Sequence, residues 1–185
     1  MNFKISSTKP LSTLCRDNGF LFWEDLVNHV QNLPYGRNSK RDDFSLVIKE
    51  KKGSCSSKHA FLAAVAKENN QTNIQLILAM YKMNSQNTNI GNSLENSGLT
   101  YIPEAHCYLK INDLRQDITS ANSSLEKLKK DILSEEVITP EQVINFKIKY
   151  HQDFIKKWIV KENISLSFDK VWSLREKCIQ YLSEN

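Results

Sequence analysis

The sequence predicts an α+β fold: an antiparallel sheet packed on a buried helix that carries a cysteine at its N-terminus, with extra helices C-terminal to the sheet. Three observations predict it. Ala60-Phe61-Leu62-Ala63-Ala64-Val65-Ala66 is apolar on every side, which marks a helix buried all round rather than a surface helix. Ile74 to Met83 is rich in Ile, Leu and Met, and its length and lack of breakers suit a buried strand. Tyr101 to Thr119, with Asn112-Asp113 near its middle, reads as a hairpin.

Residues 1–19 are polar and irregular and read as a loosely attached arm. Phe20-Leu21-Phe22-Trp23 leads into a helix whose Leu26, Val30 and Leu33 recur at i, i+4, i+7 on one face, and Pro34-Tyr35-Gly36 stops it. Asn38 to Asp43 is a charged loop, Phe44 to Ile48 a short strand or helical turn, and Lys49 to Lys52 a surface crossing. Gly53 supplies a permissive backbone and Ser54 a cap, so the buried helix opens at Cys55 and ends near Asn69-Asn70. Asn84 to Ser97 is Asn/Ser-rich and lacks periodicity, as a long loop does.

An even-length turn centred on Asn112-Asp113 pairs Leu109 with Gln116, Cys107 with Ile118 and Ile111 with Leu114, giving a mostly apolar face. The other face carries His106, Tyr108, Lys110, Arg115, Asp117 and Thr119. His106 and Asp117 are diagonal neighbours on it, about 7–8 Å apart at the backbone, a span that long side chains bridge. Beyond the hairpin the sequence predicts a helix over about Ser123 to Leu133. A start signal follows at Thr139-Pro140-Glu141-Gln142, opening a helix through Trp158 or beyond, and the last helix runs from Phe168 to Leu182. There are no repeats and no linker, which predicts one domain over 1–185, with a core of about 20–120 and a C-terminal helical extension of about 121–185.

Composition excludes several classes. Apolar residues make up 40% and charged residues 25% of the 185, ordinary values for a folded soluble chain. The net charge of +4 comes without a dense Lys/Arg block, so no nucleic-acid partner is expected. Cys15, Cys55, Cys107 and Cys178 form no CxxC pair and no zinc-ribbon spacing. Met1 to Thr13 has no apolar stretch of signal-peptide type, and no 18-residue apolar run occurs. The expectation is a cytoplasmic protein with reduced thiols, no membrane association and no cofactor.

The chemistry converges on Cys55. In the first turn of a buried helix, unpaired N–H groups and the helix dipole favour an anion, and a thiolate is one. A lone cysteine is otherwise simply a small buried residue. His106 and Asp117 supply what a nucleophilic thiol needs: a base that later donates to the leaving group, and an acid that sets its tautomer. The order Cys…His…Asp, with the cysteine opening a helix and the others on adjacent strands, resembles the transglutaminase-like superfamily of the papain-like cysteine-hydrolase fold. Gly53-Ser54-Cys55, His106-Cys107-Tyr108 and Asp117-Ile118-Thr119 match that family's G-x-C, H-x-aromatic and D-x-T patterns, over about Leu33 to Thr119. Gly53 to His59, Ile102 to His106 and Trp172 to Ile179 are also similar to an uncharacterised microbial branch of it. The resemblance implies a transglutaminase-like core, a Cys55–His106–Asp117 catalytic triad, and hydrolysis or acyl transfer at an amide bond of a peptide, a protein or a small amide.

Rival residues are few. His59 shares a helix face with Cys55 and is an alternative base, or a zinc ligand with Cys55 and Cys107, but no acid follows it at a useful spacing; a structural role is expected. Glu104 ranks behind Asp117 as the orienting acid because it precedes His106 on the same strand. His29 and His151 read as surface or interface residues, and Cys15, Cys107 and Cys178 as inert, with Cys15 exposed. Lys129-Lys130 and Lys156-Lys157 read as solvated faces, and Trp158 and Trp172 as core. An oxyanion would be met by the Cys55 N–H and a second donor, for which Tyr35, Trp23 and Asn38 are candidates. From a different class, the protein would be an idle member of the fold that binds a protein or peptide in the same cleft.

Overall fold

The computed structural model describes residues 1–123 and 125–184. Its fold is α+β. β1 (Ile74–Met83) and β2 (Ile102–Ile111) form the centre of one antiparallel sheet, with β3 (Leu114–Gln116) beside β2 and β4 (Ile132–Ile138) beside β1, in the order β3-β2-β1-β4. The long pair runs from Ile74 opposite Ile111 to Met83 opposite Ile102. Ile74, Leu76, Leu78 and Met80 with Ala105, Cys107, Leu109 and Ile111 pack into one core. Their alternates Ile77, Ala79, Tyr81, Met83, Ile102 and Tyr108 bury in other clusters. Both faces are therefore covered, which is why β1 reads as an unbroken apolar run.

The main core is closed by α4 (Cys55–Glu68), buried from Lys58 through Ala66. Its start is a capping box: Ser57 N–H donates to Ser54 Oγ (3.3 Å), and Ser54 N–H donates to Ser57 Oγ (2.8 Å). Gly53 is needed for space. A Cβ there would fall 2.8 Å from Lys58 Cγ and 3.0 Å from Ser57 Oγ. Around α4 lie α1 (Pro10–Asp17), α2 (Trp23–Asn32) and the single turn α3 (Leu46–Lys49). α5 (Asn145–Lys161) and α6 (Phe168–Glu184) pack against β2, with Ile155, Trp158, Val171, Cys178 and Ile179 in a second core. The predicted helices beginning near Trp23 and Phe168 and the predicted strand Ile74–Met83 all form.

The hairpin register is the predicted one: Leu109 opposite Gln116 and Ile111 opposite Leu114. Asn112 (φ 47) and Asp113 (φ 65) both take the left-handed conformation that a two-residue turn matching strand twist requires. β3 ends at Gln116, so Asp117 stands one residue beyond the paired strand.

Three expectations are corrected. The N-terminal segment is not a loose arm: Ile5 and Cys15 are fully buried, and Ile5 N–H donates to Leu21 O. The carboxylate of Glu68 on α4 accepts from Leu11 N–H, Ser12 N–H and Ser12 Oγ, so it caps α1 from 56 residues away. The stretch predicted as a helix over Ser123–Leu133 instead makes two short 3-10 turns, Leu125–Lys127 and Lys129–Asp131, and then enters β4; Ser124 lies outside the described residues. β4 pairs with the outer edge of β1, and the need to satisfy that edge overrides local helix preference. Thr139 and Gln142 do form their capping box, but it opens only a 3-10 turn, Pro140–Val143, before α5. Among the described residues, no helix is long and apolar enough to cross a membrane.

Candidate active site

Cys55 opens α4, His106 projects from β2, and Asp117 follows β3. His106 Nε2 lies 2.9 Å from Asp117 Oδ2. The other carboxylate oxygen, Oδ1, accepts from Thr119 N–H (3.0 Å) and Thr119 Oγ1 (2.6 Å). The Asp117-Ile118-Thr119 run thus acts as a local clamp that fixes the carboxylate before it meets the imidazole. With Nε2 engaged, Nδ1 is the nitrogen left to face the Cys55 thiol, with which His106 interacts by charge; the hydrogen-bond partner of Cys55 Sγ in the structure is Ser56 Oγ, at 3.8 Å.

The charges are polarised as a nucleophile requires. Burial pushes the Cys55 thiol up, but Lys147 and then His106 outweigh it and bring its pKa down to about 6. Burial likewise opposes an imidazolium at His106, yet Asp117 and Cys55 hold its pKa well above the usual histidine range. The balance favours a thiolate–imidazolium pair at neutral pH. Burial pushes the other three thiols the opposite way: Cys107 and Cys178 are raised and Cys15 reaches about 12. Cys15 was expected to be exposed; its burial on the inner face of α1 corrects that.

His59 has both ring nitrogens engaged. Ile118 N–H donates to Nε2 (2.8 Å), so the ring proton sits on Nδ1, which donates to Cys55 O (2.7 Å). Burial lowers its pKa to about 4, keeping the ring neutral. It ties the start of α4 to the Asp117 segment and has no lone pair free for a thiol or a metal. Among the described residues, no group of three or more His, Cys, Asp or Glu side chains converges as metal ligands do.

The structure corrects the remaining rivals. Glu104 is not available to orient His106. Its carboxylate receives Arg175 Nε (2.6 Å) and Nη2, with His151 Nε2 at 3.8 Å, and burial is overcome by Arg175 to hold its pKa at about 2. His151 is not a surface residue; it is buried and pairs Nε2 with Pro103 O at 2.9 Å. Trp172 lies tilted against its ring (5.1 Å between centroids) and beneath the Arg175 guanidinium (5.3 Å); it is half-buried at the edge of the second core and lines a cleft, whereas Trp158 is buried.

Of the three proposed oxyanion donors, Trp23 is remote, buried against Phe3 in the core. Asn38 has spent its amide N–H groups on Leu46 O, Glu50 Oε2 and Lys52 O. Tyr35 remains. Gly53 N–H donates to Pro34 O and Gly36 N–H to Gly53 O, which holds Tyr35 beside the start of α4. Burial, then Cys55 and Glu104, push the phenol above its ordinary range, so it stays a donor.

Two residues were not singled out by sequence. Lys147 Nζ donates to Ser56 Oγ (2.6 Å) next to the thiol. Lys58, fully buried, donates to Leu33 O and Thr119 O (2.7 Å), binding the end of α2 to the Asp117 segment. Burial lowers its pKa to about 8 against the pull of Asp117. Its place within an apolar helix was the only available signal.

Cys55 stands where two clefts meet. The smaller, about 240 Å³, is lined by Tyr35, Arg37, Arg41, Lys147, Trp172 and Arg175 among others. The larger, about 730 Å³, passes His106, Asp117, Tyr81, Asn89 and Leu182. Comparisons with protein-family models, with curated proteins and with solved structures found no match to this protein.

Proposed function

We propose that this protein is a cysteine hydrolase or acyltransferase with a transglutaminase-like, papain-like core, acting on an amide or peptide bond through Cys55, His106 and Asp117. The observation that carries the reading is the opposed polarisation of one buried pair: the Cys55 thiol is drawn down while the imidazole clamped by Asp117 is drawn up. A buried cysteine with only a packing role has its pKa raised, as Cys107 does.

In this reading Cys55 Sγ attacks the carbonyl carbon of a peptide, protein or small amide. The oxyanion is met by the Cys55 N–H, which has no helical acceptor, and by the Tyr35 phenol. His106 gives its proton to the departing amine as the C–N bond breaks, leaving a thioester. Water or an acceptor amine then adds to the thioester, His106 takes its proton, and Cys55 leaves as the thiolate. Asp117 remains ionised throughout and stabilises the imidazolium. All four cysteines are free, which suits a reducing, cytoplasmic setting.

The test is limiting iodoacetamide over pH 5 to 9, read by peptide mass spectrometry. Cys55 should label first, with a rise centred near pH 6. His106→Ala should move that rise toward the free-thiol value of about 8.5, and Asp117→Asn should move it in the same direction by less. Labelling of Cys55 no faster than Cys15 would overturn the enzyme reading in favour of an idle fold that binds peptide in the cleft.

A further inference from the structure

The smaller cleft holds an imbalance of charge that the catalytic step does not use. Four cationic side chains line it, Arg37, Arg41, Lys147 and Arg175, against two carboxylates, Glu104 and Glu176. Arg175 is saturated by Glu104 and Glu176. Lys147 is committed to Ser56 and the thiol. Arg37 shares Glu176 with Arg175 through a single contact at 2.9 Å. Arg41 forms no hydrogen bond and no ion pair among the described residues. It is partly desolvated and faces the like charges of Arg37 and Arg175, which together lower its pKa against the smaller opposing pull of Glu176. His151 does not compensate, because burial keeps it neutral.

A second polar group, in the wall of the same cleft, also lacks a partner. Asn38 Oδ1 is buried without a hydrogen bond. The three acceptors on Asn38 Nδ2 set the orientation of the amide, so Oδ1 is an acceptor. The cleft that contains the nucleophile therefore presents an unpaired guanidinium, while Asn38 Oδ1 lies closed off behind its wall. Cations crowded in a narrow cleft focus the field and concentrate anions there. A planar guanidinium matches a carboxylate in a two-pronged geometry.

We propose that this cleft is a carboxylate-binding subsite: the acyl substrate carries a carboxylate that Arg41 binds, with Arg37 beside it. The inference rests on Cys55 being the nucleophile and adds the substrate class, an acidic amide or peptide. The carboxylate belongs either to an acidic side group or to the C-terminal end of a peptide.

The test uses three alkylating probes that differ in charge: N-chloroacetyl-glycine amide (neutral), N-chloroacetyl-glycine (terminal carboxylate) and N-chloroacetyl-glutamic acid α-amide (γ-carboxylate). In each, Cys55 Sγ bonds to the methylene carbon and chloride leaves. Rates at Cys55 are read by peptide mass spectrometry and divided by the rate of each probe with glutathione. At least one carboxylate probe should outpace the neutral one by about fivefold or more. Most of that advantage, read as the ratio of carboxylate-probe to neutral-probe rate within each variant, should vanish in Arg41→Gln and in Arg37→Gln/Arg41→Gln. Lys40→Gln, which removes the same charge from an exposed site outside the cleft, should keep the advantage. The probe with the larger advantage names the source of the carboxylate. No advantage for either carboxylate probe, or an advantage that survives both arginine variants, overturns the subsite. A neutral probe that labels Cys55 no faster than Cys15 instead overturns the nucleophile itself, and the subsite with it.

Discussion

Lys147 Nζ lies 2.6 Å from Ser56 Oγ, so α5 reaches back 91 residues in sequence to set an ammonium charge at the nucleophile. Its charge is the largest single influence that lowers the Cys55 pKa, and the imidazole of His106 adds to it. The C-terminal helices are thus part of the chemistry and not an appendage to it. Replacing the ammonium by an uncharged group of similar length, Lys147→Met, should move the Cys55 alkylation profile to higher pH by about one unit. A profile that stays at its wild-type midpoint would assign the low thiol pKa to His106 alone.

His59 is expected to matter for stability and not for reactivity. His59→Ala strands the buried Ile118 N–H and removes the side-chain bond to Cys55 O, which keeps its helical partner, a loss of about 1–3 kcal/mol in denaturant unfolding. Among molecules that remain folded, the alkylation midpoint should move far less than in His106→Ala. The ring also couples stability to pH. Its folded pKa of about 4 lies below the unfolded value of about 6.5, so between these values the unfolded state takes up a proton that the folded state refuses. Its contribution is therefore intact above pH ~6.5 and is lost as pH falls through about 4. His59→Gln should flatten the stability curve across that window, and an unchanged slope would contradict the neutral tautomer.

Glu104 and Arg175 join β2 to α6 through a buried two-pronged ion pair. Glu104→Gln strands most of a buried guanidinium charge and should cost about 3–5 kcal/mol in urea unfolding. Removing both charges, Glu104→Gln/Arg175→Met, should recover at least half of the loss. A double variant as unstable as the single one would mean that shape and not charge is what the pair supplies.

Local sequence alone determined a good deal of this protein. The all-round apolar run after Cys55 marked α4, the Asn112-Asp113 turn set the hairpin register, and that register put His106 and Asp117 within reach of one another. Such features are short-range: a cap, a turn conformation and a side-chain period each depend on a few adjacent residues. Tertiary structure decided the rest. Only the packing of α4 against the Asp117 segment assigns both nitrogens of His59, and only the return of α6 removes Glu104 from the rivals of Asp117. Glu68 organises α1, and β4 replaces a helix, because each satisfies backbone groups presented by a distant element. Lys147 looked like any other lysine on an amphipathic helix until the fold carried its helix to the mouth of the thiol. The strength of a charge–charge interaction depends on distance through space and on the dielectric around it, and neither is written in the local order of residues.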